Sequence, residues 1–414
     1  CDTSNLAALE KYKEFLINVQ SKSEPRHVRM CKLFCAQAQN VGLACSRYEV
    51  LLRDSAISVR LFREENIELE IREANLCQEH LIETGSKTVR YNDEDLTPQE
   101  LSKYLENPDR SVRHKAWELT VAQLLSEAPG REERFESLLE VRHQIAQELG
   151  FANYREYAWV RLKRTYYNPA QCEQFHIAIE KEVLPVVLGL QRQRAESLGL
   201  DVICPWDTEV DPAGKPPLRP FIELSDLVSG AQSIFDRMDV ELASQYRYIR
   251  DKGLLFLENR KGKASGAYCA PLCESRLPFV FLNTVGMHSD ILNLFHECGH
   301  AFHTIAMQSQ DILAYRCAPA EFCEIASQSM ELIGSEFLDV MYSPSEKLRA
   351  RRSNFERILL SLLWVATVDA FQHWVYTSPG HTRSARKNAW LKEMKRFGGL
   401  VNWSGYESTQ EILW

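Results

Sequence analysis

The tightest constraint on this chain is how seldom its helical periodicity is interrupted. From Asn5 to about Val19, the residues Leu6, Leu9, Tyr12, Phe15, Leu16 and Val19 recur every three or four positions, which places them on one helix face. Residues 26–83 keep a helical composition, and Thr97 followed by Glu100 forms a capping-box start. Asn107-Pro108 breaks that helix; another is expected from about Ser111, and the segment 132–150 stops at Gly150. Residues 168–198 read as one long helix opening near Asn168-Pro169. Two stretches depart from this pattern. Prolines and glycines crowd residues 199–220, so helix cannot persist there. A boundary is expected in it, between an N-terminal helical region, residues 1–205, and a second region, residues 206–414. Helices resume at about Ser225–Arg247. In residues 253–284, short apolar runs such as Leu254–Leu257 and Phe279–Leu282 are separated by Gly, Lys and Pro and read as a small β-sheet. After Gly286 the chain reads as helix nearly to its end. The expected fold is mainly α with one small sheet.

At 414 residues, with 45% apolar and 26% charged side chains, the chain can bury a substantial core. A net charge of -8 repels phosphate backbones, which argues against nucleic-acid partners. Twelve cysteines scatter from Cys1 to Cys323 without a disulfide pattern. They read as reduced, mostly buried thiols, from which a cytoplasmic location is expected. No uninterrupted run of about 18 apolar residues is present, so no membrane-spanning helix is expected.

The residues that carry chemistry lie in the helix after Gly286. Ser289 is placed to cap it, and it runs through His296-Glu297-Cys298-Gly299-His300-Ala301-Phe302-His303. His296 and His300, four apart, bring two imidazoles onto one face a turn apart, where one zinc ion can take both. Glu297 lies at the edge of that face, placed to accept a proton from water and pass it to a leaving amine. This is the H-E-x-x-H arrangement. Leu292, Leu294, Phe295, Phe302 and Ile305 make the helix strongly apolar. Gly299 costs about 1 kcal/mol relative to alanine in mid-helix, which implies that another backbone packs close. Cys298 reads as packing, and His303 as a hydrogen-bonded histidine in the core or beside the site.

A catalytic zinc needs a third protein ligand and an open position. The metzincin pattern would place glycine at 303 and histidine at 306; His303 and Ala306 stand there, so that class is excluded. A carboxylate on a following helix is then expected. Pro319 opens such a helix, which carries Glu321, Glu324 and Glu331. Glu331 lies roughly 10 Å beyond Glu324 along the axis, so the two cannot share one ion. One would ligate and the other orient a histidine. Spacing leaves Glu321 and Glu324 both open as the ligand.

The run HECGHAFH, with the glutamate of EIASQSMEL 28 positions after its first histidine, resembles the thimet oligopeptidase/oligoendopeptidase F family of zinc metallopeptidases. That family carries H-E-x-G-H-x-x-H and a later E-x-x-S segment. The resemblance extends from about residue 100, through NPDRSVRHKAW (107–117), PWDTEVDPAGKPPLRPF (205–221), RKGKASGAYC (260–269) and PFVFLNTVG (278–286). It implies a two-lobed, helical, zincin-like enzyme whose deep channel admits short unfolded peptides. It implies one Zn2+ held by His296, His300 and Glu324, with His303 and Glu331 around them. It also implies an edge strand near residues 278–284 that pairs with the substrate backbone, with Gly266, Ala267 and Tyr268 beside it as substrate-binding residues. Tyrosines that stabilise the oxyanion are expected beyond Trp414. The implied activity is that of a zinc-dependent metalloendopeptidase with Glu297 as general base. The alternatives are a catalytically impaired peptide-binding relative or a dipeptidyl carboxypeptidase of the same fold.

Overall fold

A computed structural model of the chain describes residues 2–40 and 46–414. Residues 41–45, part of the helical stretch expected over 26–83, lie outside the described residues. The first half is helical. Helix α1 (Leu6–Phe15) runs through a π-helical turn into α2 (Ser21–Asn40), followed by α3 (Glu49–Leu61) and α4 (Asn66–Gly85). A hairpin, β1 (Val89–Tyr91) and β2 (Glu94–Leu96), then leads to α5 (Pro98–Ser102). The single small sheet expected from the sequence is therefore joined by a second. Its signal was Asn92-Asp93, which take φ of 48° and 66°, as a two-residue hairpin turn with both central residues left-handed requires. Thr97 and Glu100 form a reciprocal capping box at the start of α5. Helix α6 (Arg110–Glu148) is 39 residues long and contains Pro129. Gly150 follows it with φ of 74°. Helices α7 (Tyr154–Arg161), α8 (Pro169–Ala178) and α9 (Leu184–Leu198) complete this half.

Residues 199–220 hold one short 3-10 turn and no longer element. The helices expected over about residues 225–247 are α10 (Leu224–Met238) and α11 (Val240–Asp251). Asp239 separates them. Its backbone is extended, and its carboxylate accepts the amides of Glu241 and Leu242 at 2.8 and 3.0 Å, so it caps α11 instead of continuing α10.

Strands β3 (Leu255–Glu258), β4 (Tyr268–Leu272) and β5 (Leu277–Thr284) form the sheet in the order β3-β5-β4. β5 pairs parallel to β3 and antiparallel to β4. The β3–β5 register shifts between Phe256 and Glu258. Lys263, 3% exposed, stabilises this irregularity: its ammonium donates to the carbonyls of Phe256, Glu258 and Leu282 at 3.0, 2.7 and 2.6 Å. Burial lowers its pKa to about 8.

Four longer helices follow: α12 (His288–Met307), α13 (Ala320–Ser335), α14 (Pro344–Thr377) and α15 (Arg383–Phe397), with a short α16 (Glu407–Gln410). The main core forms where α10, α11 and the sheet meet α12. Phe235 of α10 lies edge-on to Phe295 and Phe302 of α12 at 5.9 and 5.2 Å between ring centroids. Each such pair contributes about 1 kcal/mol beyond its buried area. One window of α14 is long and apolar enough to cross a membrane by length and composition, with mean hydropathy 1.4, and a third of it is buried. Leu363, Ala366, Phe371 and Val375 turn inward from this helix, onto residues that include Trp390 and Phe397 of α15. Ten cysteines among the described residues are free, but only Cys31, Cys204 and Cys298 are buried, so the expectation of mostly buried thiols does not hold.

Candidate metal centre

Helices α12 and α13 run antiparallel, and glycine lets them touch on both sides. A Cβ on Gly299 would lie 2.6 Å from Ser327 Cα and 2.7 Å from the Ala326 carbonyl oxygen. A Cβ on Gly334 of α13 would lie 2.6 Å from the Phe295 ring. The close backbone implied by Gly299 is thus that of α13. α12 starts at His288 with Met287 as its cap residue, not at Ser289. Asp290 replaces the expected serine cap: its Oδ2 accepts the amides of Val285, Gly286 and Met287 at 2.8, 2.8 and 2.9 Å.

This contact places His296 beside Glu331, and both His296 and His300 beside Glu324. His296 Nε2 lies 3.3 Å from Glu324 Oε2, and His300 Nε2 lies 3.6 Å from Glu324 Oε1. One ligand atom from each of the three residues lies within 4.8 Å of the others. Ser327 donates to Glu324 Oε2 at 2.9 Å and holds that carboxylate in place. Behind His296, Nδ1 lies 2.8 Å from Glu331 Oε1, while Arg357 of α14 donates to Glu331 Oε2. A carboxylate so engaged accepts the Nδ1 proton, which leaves the Nε2 lone pair facing Glu324. Two imidazole nitrogens and one carboxylate oxygen are a donor set that suits zinc.

Glu297 is 4% exposed, and its Oε2 has no hydrogen-bond partner among the described residues. Burial raises its pKa to about 7, with Glu324 and Glu331 pushing the same way and His296 opposing. Burial alone would lower His296, but its bond to Glu331 and the surrounding carboxylates raise it above its ordinary value. His300 is lowered, chiefly by burial.

The other expected residues are placed as follows. Glu321 lies apart from the cluster, bonded by Tyr167 and paired with Arg164 at 3.5 Å. His303 is half-buried, within electrostatic reach of His300, and no hydrogen bond to it is found among the described residues. Residues 278–284 do not form an edge strand: β5 is central, occupied by β3 on one side and β4 on the other. The edges belong to β3 and β4, and Cys269 of β4 is close enough to Glu297 for the carboxylate to help burial push the thiol up to about 12. Gly266, with φ of 90°, Ala267 and Tyr268 lead into that strand. Asn283 fixes their approach, donating to the carbonyls of Ala264 and Gly266 at 2.9 and 3.0 Å. Tyr268 stacks on Phe281 with centroids 4.5 Å apart. Arg357, Asn283 and Lys263 escaped the reading of the sequence. Lys263 and Asn283 lay in segments singled out there, Lys263 in a charged run that looks like surface and Asn283 in the expected strand, but neither was read for its own role; Arg357 lay in none.

A second group of ligand-type residues lies away from this centre. Cys172 of α8 and Asp369 and His373 of α14 bring ligand atoms within 4.8 Å of one another. His176 Nε2 lies 2.8 Å from Asp369 Oδ2.

The sequence profile of peptidase family M3 matches residues 103–405. Among curated relatives, the chain is 30% identical over 111 residues to the chromosomal oligoendopeptidase F of Lactococcus lactis subsp. cremoris, which is 27% of this chain and 18% of that protein. It is 24% identical over 250 residues to oligopeptidase A of Escherichia coli (strain K12), 47% of this chain and 36% of that one. The matched stretches thus span well under half the length of either relative. Among solved structures, PZ peptidase A with an inhibitor is similar at a TM-score of 0.93 and 26% identity, covering 99% of this chain and 73% of that one. A protein described as an oligoendopeptidase F from Bacillus anthracis str. Ames shares the fold at a TM-score of 0.91 and 24% identity, over 100% of this chain and 75% of that one.

Proposed function

The chain belongs to peptidase family M3, and from that premise we propose that it hydrolyses short peptides as a zinc-dependent oligopeptidase. The observation that carries this reading is the convergence of His296, His300 and Glu324 beside the buried carboxylate of Glu297. His296, His300 and Glu324 would hold the ion. Zinc bound there would supply Lewis acidity toward the scissile carbonyl and bring the pKa of a water near 7.

The chain's own groups do the rest. Glu331 holds the proton of His296 on Nδ1, and Ser327 fixes one oxygen of Glu324. Glu297, with a pKa near 7 and an oxygen without a partner among the described residues, takes a proton from the attacking water and returns it to the departing amine nitrogen. The substrate backbone pairs with the outer edge of β4, which passes beside Glu297, with Gly266, Ala267 and Tyr268 at its entrance.

The test is Glu297→Gln. The variant is expected to bind one zinc ion like the parent and to lose about 10²- to 10⁴-fold in kcat on a fluorogenic peptide. Cleavage at the parental rate by this variant would remove the general-base assignment. Parental cleavage that persists under a strong chelator would remove the zinc.

A further inference from the structure

The ion-pair pattern between α13 and α14 contains one member that reaches the metal centre. Arg351 and Arg357 of α14 both cross to carboxylates of the α13 segment. Arg351 Nη2 donates to Glu336 Oε1 at 2.6 Å, just past the end of α13. Arg357 Nη2 donates to Glu331 Oε2 and is steadied by Asn354 Oδ1 at 3.3 Å. Asn354 is 2% exposed, so that end of the relay is anchored in packed structure. Glu331 is nearly buried and has both oxygens in use: Oε2 on Arg357, Oε1 on His296 Nδ1. A chain of contacts thus runs across three helices, from Asn354 and Arg357 through Glu331 to His296.

We infer that Arg357 is a positioning residue for the metal centre, acting through Glu331 on the orientation and tautomer of His296. This rests on the zinc reading proposed above. Without Arg357, one oxygen of a nearly buried carboxylate loses its donor, and the side chain is free to rotate toward the open side. His296 then loses the acceptor that keeps its proton on Nδ1. A ring with its proton on Nε2 offers no lone pair to an ion at the Glu324 side. Removal of partners one step behind a metal ligand typically weakens metal affinity 10- to 100-fold. Arg357 acts one step further back, so the effect is expected toward the lower end of that range. Its planar fork locks the carboxylate plane, which a lysine does only as a point charge.

The test uses the full chain stripped of metal and titrated with zinc against a chromogenic chelator. Arg357→Met is expected to weaken zinc about tenfold or more and to change the visible spectrum of the cobalt-substituted protein. Arg357→Lys should fall between it and the parent. Arg351→Met breaks the neighbouring α13–α14 ion pair without touching the relay, and should leave zinc affinity and the cobalt spectrum unchanged. If Arg357→Met does not fold, Arg357→Gln and Arg357→Lys carry the same comparison. Zinc affinity of the Arg357 variants within twofold of the parent, or an equal loss in Arg351→Met, would overturn the inference. If the parent binds no stoichiometric zinc, or Glu324→Ala leaves its affinity unchanged, the underlying zinc reading fails first and this inference falls with it.

Discussion

The centre on α12 and α13 and the cluster on α8 and α14 use nearly the same parts. In the first, His296 and His300, four apart, face a carboxylate on the next helix. In the second, Asp369 and His373, four apart, face Cys172 and His176, also four apart. The difference lies behind the imidazole. His296 Nδ1 faces the carboxylate of Glu331, an acceptor, so its Nε2 keeps a lone pair for an ion. His373 Nδ1 faces Nη1 of Arg155 at 3.0 Å, and a guanidinium only donates. Nδ1 must therefore accept, the proton sits on Nε2, and Nε2 points it at Asp369 Oδ2, 3.4 Å away. His176 approaches the same oxygen at 2.8 Å. Burial would raise the Asp369 carboxyl, but the bonds from His176 and His373 hold it well below the usual carboxylate range. One cluster has converging lone pairs; in the other the donors are spent on one another. Residue type and spacing do not separate the two. The sign of the group behind the ring does.

The largest effect tests the contrast directly. Glu324→Ala is expected to abolish stoichiometric zinc, a loss beyond the 10- to 100-fold typical of an outer partner. His373→Ala should retain one ion per chain. Metal analysis after gel filtration reads both. Equal losses in the two variants would erase the distinction between the clusters.

Next in size is a third histidine environment. His288, two turns before His296 on α12, is 6% exposed, and its Nδ1 lies 2.9 Å from Tyr342 Oη. Burial lowers its pKa to about 4. Above the unfolded value of about 6.5, neither state binds a proton and stability is indifferent to this group. As pH falls from about 6.5 to about 4, the unfolded chain takes up a proton that the folded chain refuses, so stability falls. The loss saturates near about 3 kcal/mol below that window. Urea unfolding from pH 7 to 4 should show this slope, and His288→Gln should flatten the part due to this residue. An unchanged slope in the variant would mean that His288 is not held neutral.

Legibility divides along the same line. The mainly α fold, the Thr97 capping box and the close approach at Gly299 all follow from local spacing or from one residue's conformational cost. So does the face shared by His296 and His300. The order of the sheet does not. Residues 278–284 look like any strand, and only the crossover that brings β3 alongside makes them central. Nor is the break between α10 and α11 located by apolar periodicity, which runs on through Asp239, although an aspartate is a ready cap. Arg357 and Arg155 were invisible for a different reason. Each acts across a helix packing that no periodicity encodes, 26 residues from Glu331 and 218 from His373.

Asp369→Asn gives a smaller effect. The amide keeps the size of the carboxylate and can set its oxygen where Oδ2 receives both histidines, but it carries no charge, so both bonds lose their ionic share. A hydrogen bond to a charged acceptor exceeds a neutral one by about 1 kcal/mol, so the two together lose about 1–3 kcal/mol. Urea denaturation should show a loss of that order at pH 7, with zinc affinity unchanged. A zinc loss comparable to that of Glu324→Ala would place the second cluster in the metal site and reverse the comparison.

The smallest effect is the most diagnostic, because it tries to convert one cluster into the other. Arg155 is what forces His373 Nδ1 to accept, and it lies within 3.9 Å of Glu173, where its charge is also compensated. Arg155→Met removes the donor while keeping much of the apolar stem. His373 is then free to carry its proton on Nδ1 and to turn the Nε2 lone pair toward Asp369 and Cys172. Those three residues already bring ligand atoms within 4.8 Å. The variant is expected to take up a second, weak equivalent of zinc, seen as a second phase in calorimetric titration and absent from Arg155→Met/Cys172→Ser. The first equivalent should be unaffected, since Arg155 has no contact with α12 or α13 among the bonds described. If Arg155→Met still binds a single ion, the partner behind the ring is not what separates the two clusters. The cause would then be the bond from His176 to Asp369, which occupies the carboxylate in either tautomer of His373.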